Sequence, residues 1–299
     1  MAESHNTTLG ANKVGAATPL YETVLYDIPE PAIARITMNR PQARNAQNIQ
    51  MTYDLTAALD RAAQDNQVKV VILAAADPHF SSGHDLRDGG RALLGKTFPT
   101  LGTWGAFDAG GAEGTFSREQ EIYLQVTRRW RNHSKPTIAQ VQGKCIAGGL
   151  MLAWACDLII ASDDAQFCDP VVTMGVCGVE WFVHPWELGP RKAKELLFTA
   201  DSWSAAEAAS FGMVNRVVPR AQLAEAVLTM ARKIAAKPAF ALKMTKEAVN
   251  RATDAMGQQT AIDSAFGLHQ LCHAHNMMQF GLLIDPAGMP AALQGKAPK

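Results

Sequence analysis

Residues 142–157, Q-G-K-C-I-A-G-G-L-M-L-A-W-A-C-D, constrain this chain more than any other stretch. A short apolar run at 136–141 leads in. Ala147, Gly148 and Gly149 then break the pattern, residues 150–156 are apolar or small throughout, and 158–161 read as a strand. The pattern predicts strand, glycine turn, buried helix, strand. Glycines without a Cβ let backbone approach a ligand closely. The first helical turn behind them offers N–H groups with no internal partner, at the positive end of the helix dipole. Such a turn holds an anion or polarises a carbonyl oxygen. A Gly-Gly pair alone is equally a tight turn before a core helix, so the rest of the chain has to decide.

In chain order, residues 21–38 hold two partly alternating apolar runs around I-P-E-P, the pattern of a hairpin. Residues 39–46, N-R-P-Q-A-R-N-A, are a polar turn. Met51, Leu55, Ala58, Leu59 and Ala62 recur at helical spacing in 47–63. Residues 68–75 form a continuous apolar run, as in a strand buried on both faces, and empty into D-P-H-F-S-S-G-H-D-L. The glycine-rich 89–114 is the one low-complexity part. It reads as a mobile surface loop or, since long loops in compact domains are often functional, as a lid or pocket wall. A helical pattern over 117–130 precedes the central stretch. After it come helices at 191–199 and 205–211, a strand at 212–218, and helices at 220–236 and 239–253. This order makes the chain α/β with a C-terminal helical region. The expected divisions are a disordered lead at 1–19, a core at 20–219 and an oligomerisation region at 220–299.

Composition narrows the function. Of 299 residues, 47% are hydrophobic and 19% charged, and the formal net charge is zero. No basic field marks a nucleic-acid or anionic-membrane partner. No apolar run approaches the roughly 20 residues of a membrane span, and the lead lacks the apolar core of a signal peptide. Five cysteines, without a close-spaced framework, read as reduced thiols in a cytoplasmic protein.

Five ordered motifs then add up. They are N-R-P-Q-A-R-N-A (39–46), H-F-S-S-G-H-D-L (79–86), V-Q-G-K-C-I-A-G-G-L-M-L-A-W-A-C-D (141–157), A-Q-F-C-D-P (165–170) and F-G-M-V-N-R-V-V-P (211–219). In order and spacing the chain resembles the crotonase superfamily, the enoyl-CoA hydratase/isomerase group, over residues 21–253. The resemblance implies a ClpP/crotonase-like spiral of ββα units whose C-terminal helices complete a homotrimer or homohexamer. It implies an acyl-CoA thioester as substrate, with no further cofactor. It also implies an oxyanion hole of two backbone N–H groups, matched here to Ser82 and Gly148. Such donors meet charge on the thioester oxygen as an enolate forms. Residues Ala43, Arg44 and Asn45, and Ser82, Gly83, His84, Asp85 and Leu86, match segments that hold coenzyme A by main-chain contacts. Arg44 is a candidate phosphate contact, and Gly149 completes the turn.

The departures concern acid and base. The usual hydratase glutamates fall at Met151 and Val171, and neither side chain holds a water or moves a proton. Glu180, in G-V-C-G-V-E-W-F, is the candidate replacement. Isomerases of the family carry a glutamate one residue earlier by ungapped counting, and burial among apolar neighbours is expected to raise its pKa. His84 reads as a solvated loop histidine, Asp85 as a helix cap, Asp169 as a turn residue, and His184 as a possible neighbour of Glu180. In the tail, His269 and His273 have helical metal-ligand spacing. No second cluster completes a set and the resemblance calls for no metal, so a histidine cluster at a subunit contact is expected. An acyl-CoA enzyme working through an enolate, isomerase-like with Glu180 as base, is the leading function. A non-catalytic acyl-CoA-binding or structural protein of the same fold is the alternative. A serine protease is disfavoured because no Ser-His-Asp order surrounds the glycine turn.

Overall fold

The computed structural model describes residues 20–88 and 94–289. The expected lead at 1–19 lies outside the described residues. The strands are β1 (Val24–Glu30), β2 (Ile33–Met38), β3 (Val70–Ala75), β4 (Thr137–Val141), β5 (Lys144–Ile146), β6 (Leu158–Ser162), β7 (Gln166–Cys168), β8 (Trp203–Ser204) and β9 (Arg216–Val218). The larger sheet runs β1-β2-β3-β4-β6-β9, parallel after the β1-β2 hairpin, and the smaller runs β5-β7-β8. The helices are α1 (Ile49–Gln64), α2 (Gly111–Glu119), α3 (Val126–Arg131), α4 (Gly148–Trp154), α5 (His184–Leu188), α6 (Pro190–Thr199), α7 (Ala205–Ser210), α8 (Leu223–Ala235), α9 (Ala239–Ala255) and α10 (Gln258–Phe280). Strand–strand–helix recurs at β1-β2-α1 and β4-β5-α4, and the chain ends in helices.

Local chemistry explains the elements that carry the site. The Asn48 side chain caps α1 by accepting from the Met51 N–H at 3.0 Å, and Met51, Leu55, Ala58 and Ala62 turn inward. Every residue of β3 is buried, as its unbroken apolar run requires. β5 was not anticipated, because three residues between two glycine-containing turns carry too short a pattern to register. The helix expected at 117–130 starts earlier, at Gly111, and residues Gln120–Gln125 wind as a π-helix between α2 and α3.

One boundary moves. Leu223, Val227 and Ala231 of α8 cluster with Ile33, Val70, Ile72, Ala74, Ile138 and Ile160 on the larger sheet. Burying an apolar side chain of this kind contributes about 1.5–3 kcal/mol, so the stripe matters against a net domain stability of about 5–15 kcal/mol. Hence α8, which the expected division at residue 220 assigns to an oligomerisation region, covers a face of the core sheet. Phe266 likewise lies in the main core at 2% exposure, whereas Val249 and Leu271 stay exposed.

The described part of the glycine-rich segment is tied down. The Glu121 carboxylate accepts from the N–H groups of Leu101 and Gly102 at 2.6 and 2.8 Å, and Phe98 stacks on Tyr53 at 4.6 Å. These contacts hold residues 98–102 of the segment against the core.

Glu187 supplies a pH-dependent stability term. It lines a cavity with Trp154, Trp181 and Leu242, and burial pushes its carboxyl up to about 7. A carboxyl raised on folding contributes stability that is fully present below its unfolded pKa and is lost as pH rises through the folded value. Glu187→Gln is therefore expected to remove a loss of about 1–2 kcal/mol between roughly pH 5 and pH 8, after discounting for partial solvent access. Urea unfolding at both pH values checks this. Equal slopes in the two proteins would refute it.

Candidate active site

Residues 80–85 form a strap between two parts of the fold. On one side the Ser82 N–H donates to the Arg44 carbonyl at 3.0 Å, the Gln47 N–H to Gly83 at 2.8 Å, and the Asp85 N–H to Gln47 at 2.9 Å. On the other side the Ser81 N–H donates to Lys144, and the Ile146 N–H to Ser81, both at 3.0 Å. Asn45 anchors the strap from below. Its buried amide accepts from the Arg40 N–H and donates to the carbonyls of Ala76 and His79.

This pairing corrects one expected donor. The Ser82 N–H is engaged by Arg44 and is not available to a ligand. Gln47 takes the carbonyl of Gly83 and the N–H of Asp85, so the N–H of the intervening residue, His84, faces away from that neighbour, as parallel pairing dictates. The opposite side is the start of α4: a Cβ on Gly83 would sit 3.3 Å from the Gly148 nitrogen. Gly148, the first residue of α4, has no carbonyl one turn earlier to receive its N–H. The two amides at the turn are thus those of His84 and Gly148. Ala147, immediately before Gly148, sits at φ 47° and ψ −115°, a conformation that favours glycine. Gly149 is needed sterically as well, since a Cβ there would meet the Ser81 carbonyl oxygen at 2.8 Å.

The side chains depart from expectation too. His84 is not solvated. Its ring lies where a Cβ on Gly148 would be, 2.6 Å from Cε1, and stacks on Tyr123 with centroids 3.7 Å apart. Its Nε2 lies 3.0 Å from Glu180 Oε2. Asp85 caps no helix. It pairs with Arg40 at 2.9 Å and accepts from the Arg87 N–H. Arg44, Ala43 and Leu86 lie on the outer side of the strap, with Arg44 and Leu86 exposed. Met151 and Val171 are buried in the main apolar cluster, at 1% and 8% exposure.

Glu180, 4% exposed, is linked to this turn through the ring of His84. Burial by itself raises its carboxyl, as the sequence implied. The neighbouring His84, then His269, outweigh burial and leave the pKa below the ordinary carboxylate value. Asp169 positions the loop that carries it, accepting from the Val179 N–H at 3.1 Å and holding His184 Nε2 at 2.9 Å. His184 packs against Trp154 and Phe182 and is paired with Asp169, not with Glu180.

Behind Glu180 lies a set of groups that sequence reasoning only half found. Glu180 Oε1 is 3.7 Å from His269 Nε2, and Glu119 Oε2 lies 3.4 Å from His269 Nε2 and 3.3 Å from His273 Nε2. Burial pushes the Glu119 carboxyl up, yet the two imidazoles outweigh it and hold it well below the usual range. Burial pushes His269 down, while Glu119 and Glu180 carry it up to about 9. The spacing of His269 and His273 showed a shared helix face. Glu119 is brought to them from α2, 150 residues upstream, by the tertiary fold alone.

The enoyl-CoA hydratase/isomerase family model matches residues 29–99 and 106–284. A Mycobacterium tuberculosis protein named as an enoyl-CoA hydratase, EchA13, is 48% identical over 261 residues, covering 85% of this chain and 82% of that protein. A crystal structure titled as an enoyl-CoA hydratase from Mycobacterium smegmatis superposes with a TM-score of 0.79 at 47% identity, covering 89% of this chain and 99% of that one. A monofunctional enoyl-CoA isomerase from M. smegmatis superposes with a TM-score of 0.62 at 28% identity, covering 78% and 94%. These neighbours share the crotonase-type architecture expected from the motifs.

Proposed function

The chain belongs to the enoyl-CoA hydratase/isomerase family, and from that premise we propose that it moves a double bond in an enoyl-CoA thioester by way of an enolate. The observation that carries this reading is the placement of Glu180, a buried carboxylate held at 3.0 Å by the ring of His84, the residue whose backbone amide faces the Gly148 turn. The thioester oxygen takes up the N–H groups of His84 and Gly148, which meet its developing charge without reorganising. Glu180 is ionised at neutral pH, as a base must be, and removes a proton from one carbon and returns it to another. Double-bond migration needs one such group, whereas hydration usually employs an acid and a base. Arg44, exposed on the turn before α1, is the candidate contact for a coenzyme A phosphate. The proton transfer itself calls for no cofactor beyond the coenzyme A thioester.

Assays of purified protein with crotonyl-CoA, a longer 2-enoyl-CoA and a 3-enoyl-CoA test the reading. Conversion of the 3-enoyl thioester with weak hydration of crotonyl-CoA is expected. Binding without conversion of any of them would favour the alternative, a non-catalytic acyl-CoA-binding protein, to which buried Met151 and Val171 lend support.

Assembly follows from the tail. Phe240, Val249 and Met256 of the α9 region and Leu268, Leu271 and Met278 of α10 are exposed, more apolar surface than isolated helices leave to water. A homotrimer or homohexamer is expected, and light scattering at micromolar concentration checks it. A monomer would refute it. Among the described residues no helix is long and apolar enough to cross a membrane, and the neutral chain offers no footprint for nucleic acid. A cytoplasmic setting fits five free thiols.

A further inference from the structure

We propose that Glu119, His269 and His273 form a binding site for one divalent transition-metal ion of the zinc class, behind Glu180. His269 Nδ1 lies 2.8 Å from the Gly178 carbonyl oxygen, and His273 Nδ1 lies 2.6 Å from that of Leu283. A carbonyl only accepts, so both Nδ1 atoms carry a proton; a metal ion would take the place of the Nε2 proton on His269, and both Nε2 atoms would then present lone pairs. Those lone pairs converge on Glu119 Oε2, and all three atoms lie within 4.8 Å of one another. A buried carboxylate against two imidazole nitrogens requires a positive charge among them, supplied either by an imidazole proton or by a metal ion.

The distances favour a metal over a proton. A proton shared between imidazole and carboxylate draws nitrogen and oxygen to about 2.7–2.9 Å. Here the separations are 3.4 and 3.3 Å. Ligand atoms on a tetrahedral ion with bonds of about 2.0–2.1 Å stand about 3.3–3.4 Å apart. His269 Nε2 accordingly makes no hydrogen bond, although its side chain is only 6% exposed. The surroundings have the form of a ligand-orienting shell. Backbone carbonyls fix both tautomers, and the Gln270 amide donates to Glu119 Oε2 at 2.6 Å. Two imidazoles and one carboxylate suit zinc, cobalt or nickel better than calcium or magnesium, which take oxygen donors. A cavity of about 220 Å³ lined by Gly111, Thr115, Gln270 and His273 offers an entry path. A cation held there lies beside Glu180 and sets the field in which that carboxylate works.

The test uses the full-length, untagged protein, stripped with chelator, reloaded with Zn²⁺ or Co²⁺ and desalted. Elemental analysis is expected to find about one metal per chain, and the cobalt form to show the intense visible bands of four-coordinate geometry. His273→Ala and Glu119→Gln are each expected to weaken binding at least about tenfold, while replacement of the exposed His275 leaves it unchanged. Because a triad variant can lose stability for unrelated reasons, thermal unfolding of the wild type supplies a second measurement, and its midpoint is expected to rise with added Zn²⁺. Substoichiometric metal with an unmoved midpoint, or binding that survives both triad substitutions, would overturn the assignment and leave a proton as the bridging charge.

Discussion

Gly148→Pro is expected to lower kcat by about 10²–10³-fold, the usual consequence of deleting one oxyanion donor. The substitution removes the N–H proposed to meet the thioester oxygen. The backbone tolerates it better than most, because Gly148 is the first residue of α4, where proline is favoured and the lost N–H had no helical partner. The local cost comes from elsewhere: a Cβ at 148 meets the ring of His84, so the ring must turn. Gly148→Ala brings the same collision while keeping the N–H, and it separates steric displacement from loss of the donor. Coenzyme A affinity should change little in both variants, since its proposed contacts lie along the outer strap. A folded Gly148→Pro protein with wild-type turnover would remove this amide from the mechanism.

Glu180→Gln is expected to reduce 3-enoyl-CoA isomerisation by about 10²–10⁴-fold, the range for removing a positioned acid or base. The amide preserves the shape of the side chain and still reaches His84, so thioester binding should persist. Hydration of crotonyl-CoA should be weak already in the wild type. With Met151 and Val171 buried and apolar, a water at the positions they replace has too few polar partners to be held. Rapid crotonyl-CoA hydration that survives Glu180→Gln would exclude Glu180 as the proton carrier. Asp169 and His184, already hydrogen-bonded to each other, would then be the next groups to examine.

The sequence was most legible where one physical pattern dominates one element. The unbroken apolar run of β3, the inward stripe of α1 and the glycine turn before α4 were all readable because each is written within a few residues of itself. The site was legible only in part. Ser82 was matched by motif position, and its N–H turned out to be taken by Arg44, a contact between segments 38 residues apart that no local pattern encodes. Burial of Glu180 was readable from its apolar neighbours, but the sign of its pKa shift was not, because His84 lies 96 residues away in the chain. His269 and His273 advertised themselves by spacing, whereas Glu119 had no signal of its own. It sits in an unremarkable amphipathic run and acquires its partners only when α2 packs against α10.

The π-helical turn at Gln120–Gln125 acts as a phase shifter in this arrangement. It takes up one residue more per turn than an α-helix, so side chains before and after it are offset by about 100° around the axis. Glu119 before the offset faces the histidines of α10, while Trp130 after it faces Thr56 of α1, its indole N–H donating at 3.1 Å. A continuous α-helix could satisfy one of these directions and not the other. Deleting a single residue within the π turn would let the helix run straight through and swing Glu119 out of line with His269 and His273. Relatives with an uninterrupted helix here would then be expected to lack the glutamate–histidine triad, whatever residues they carry at its three positions.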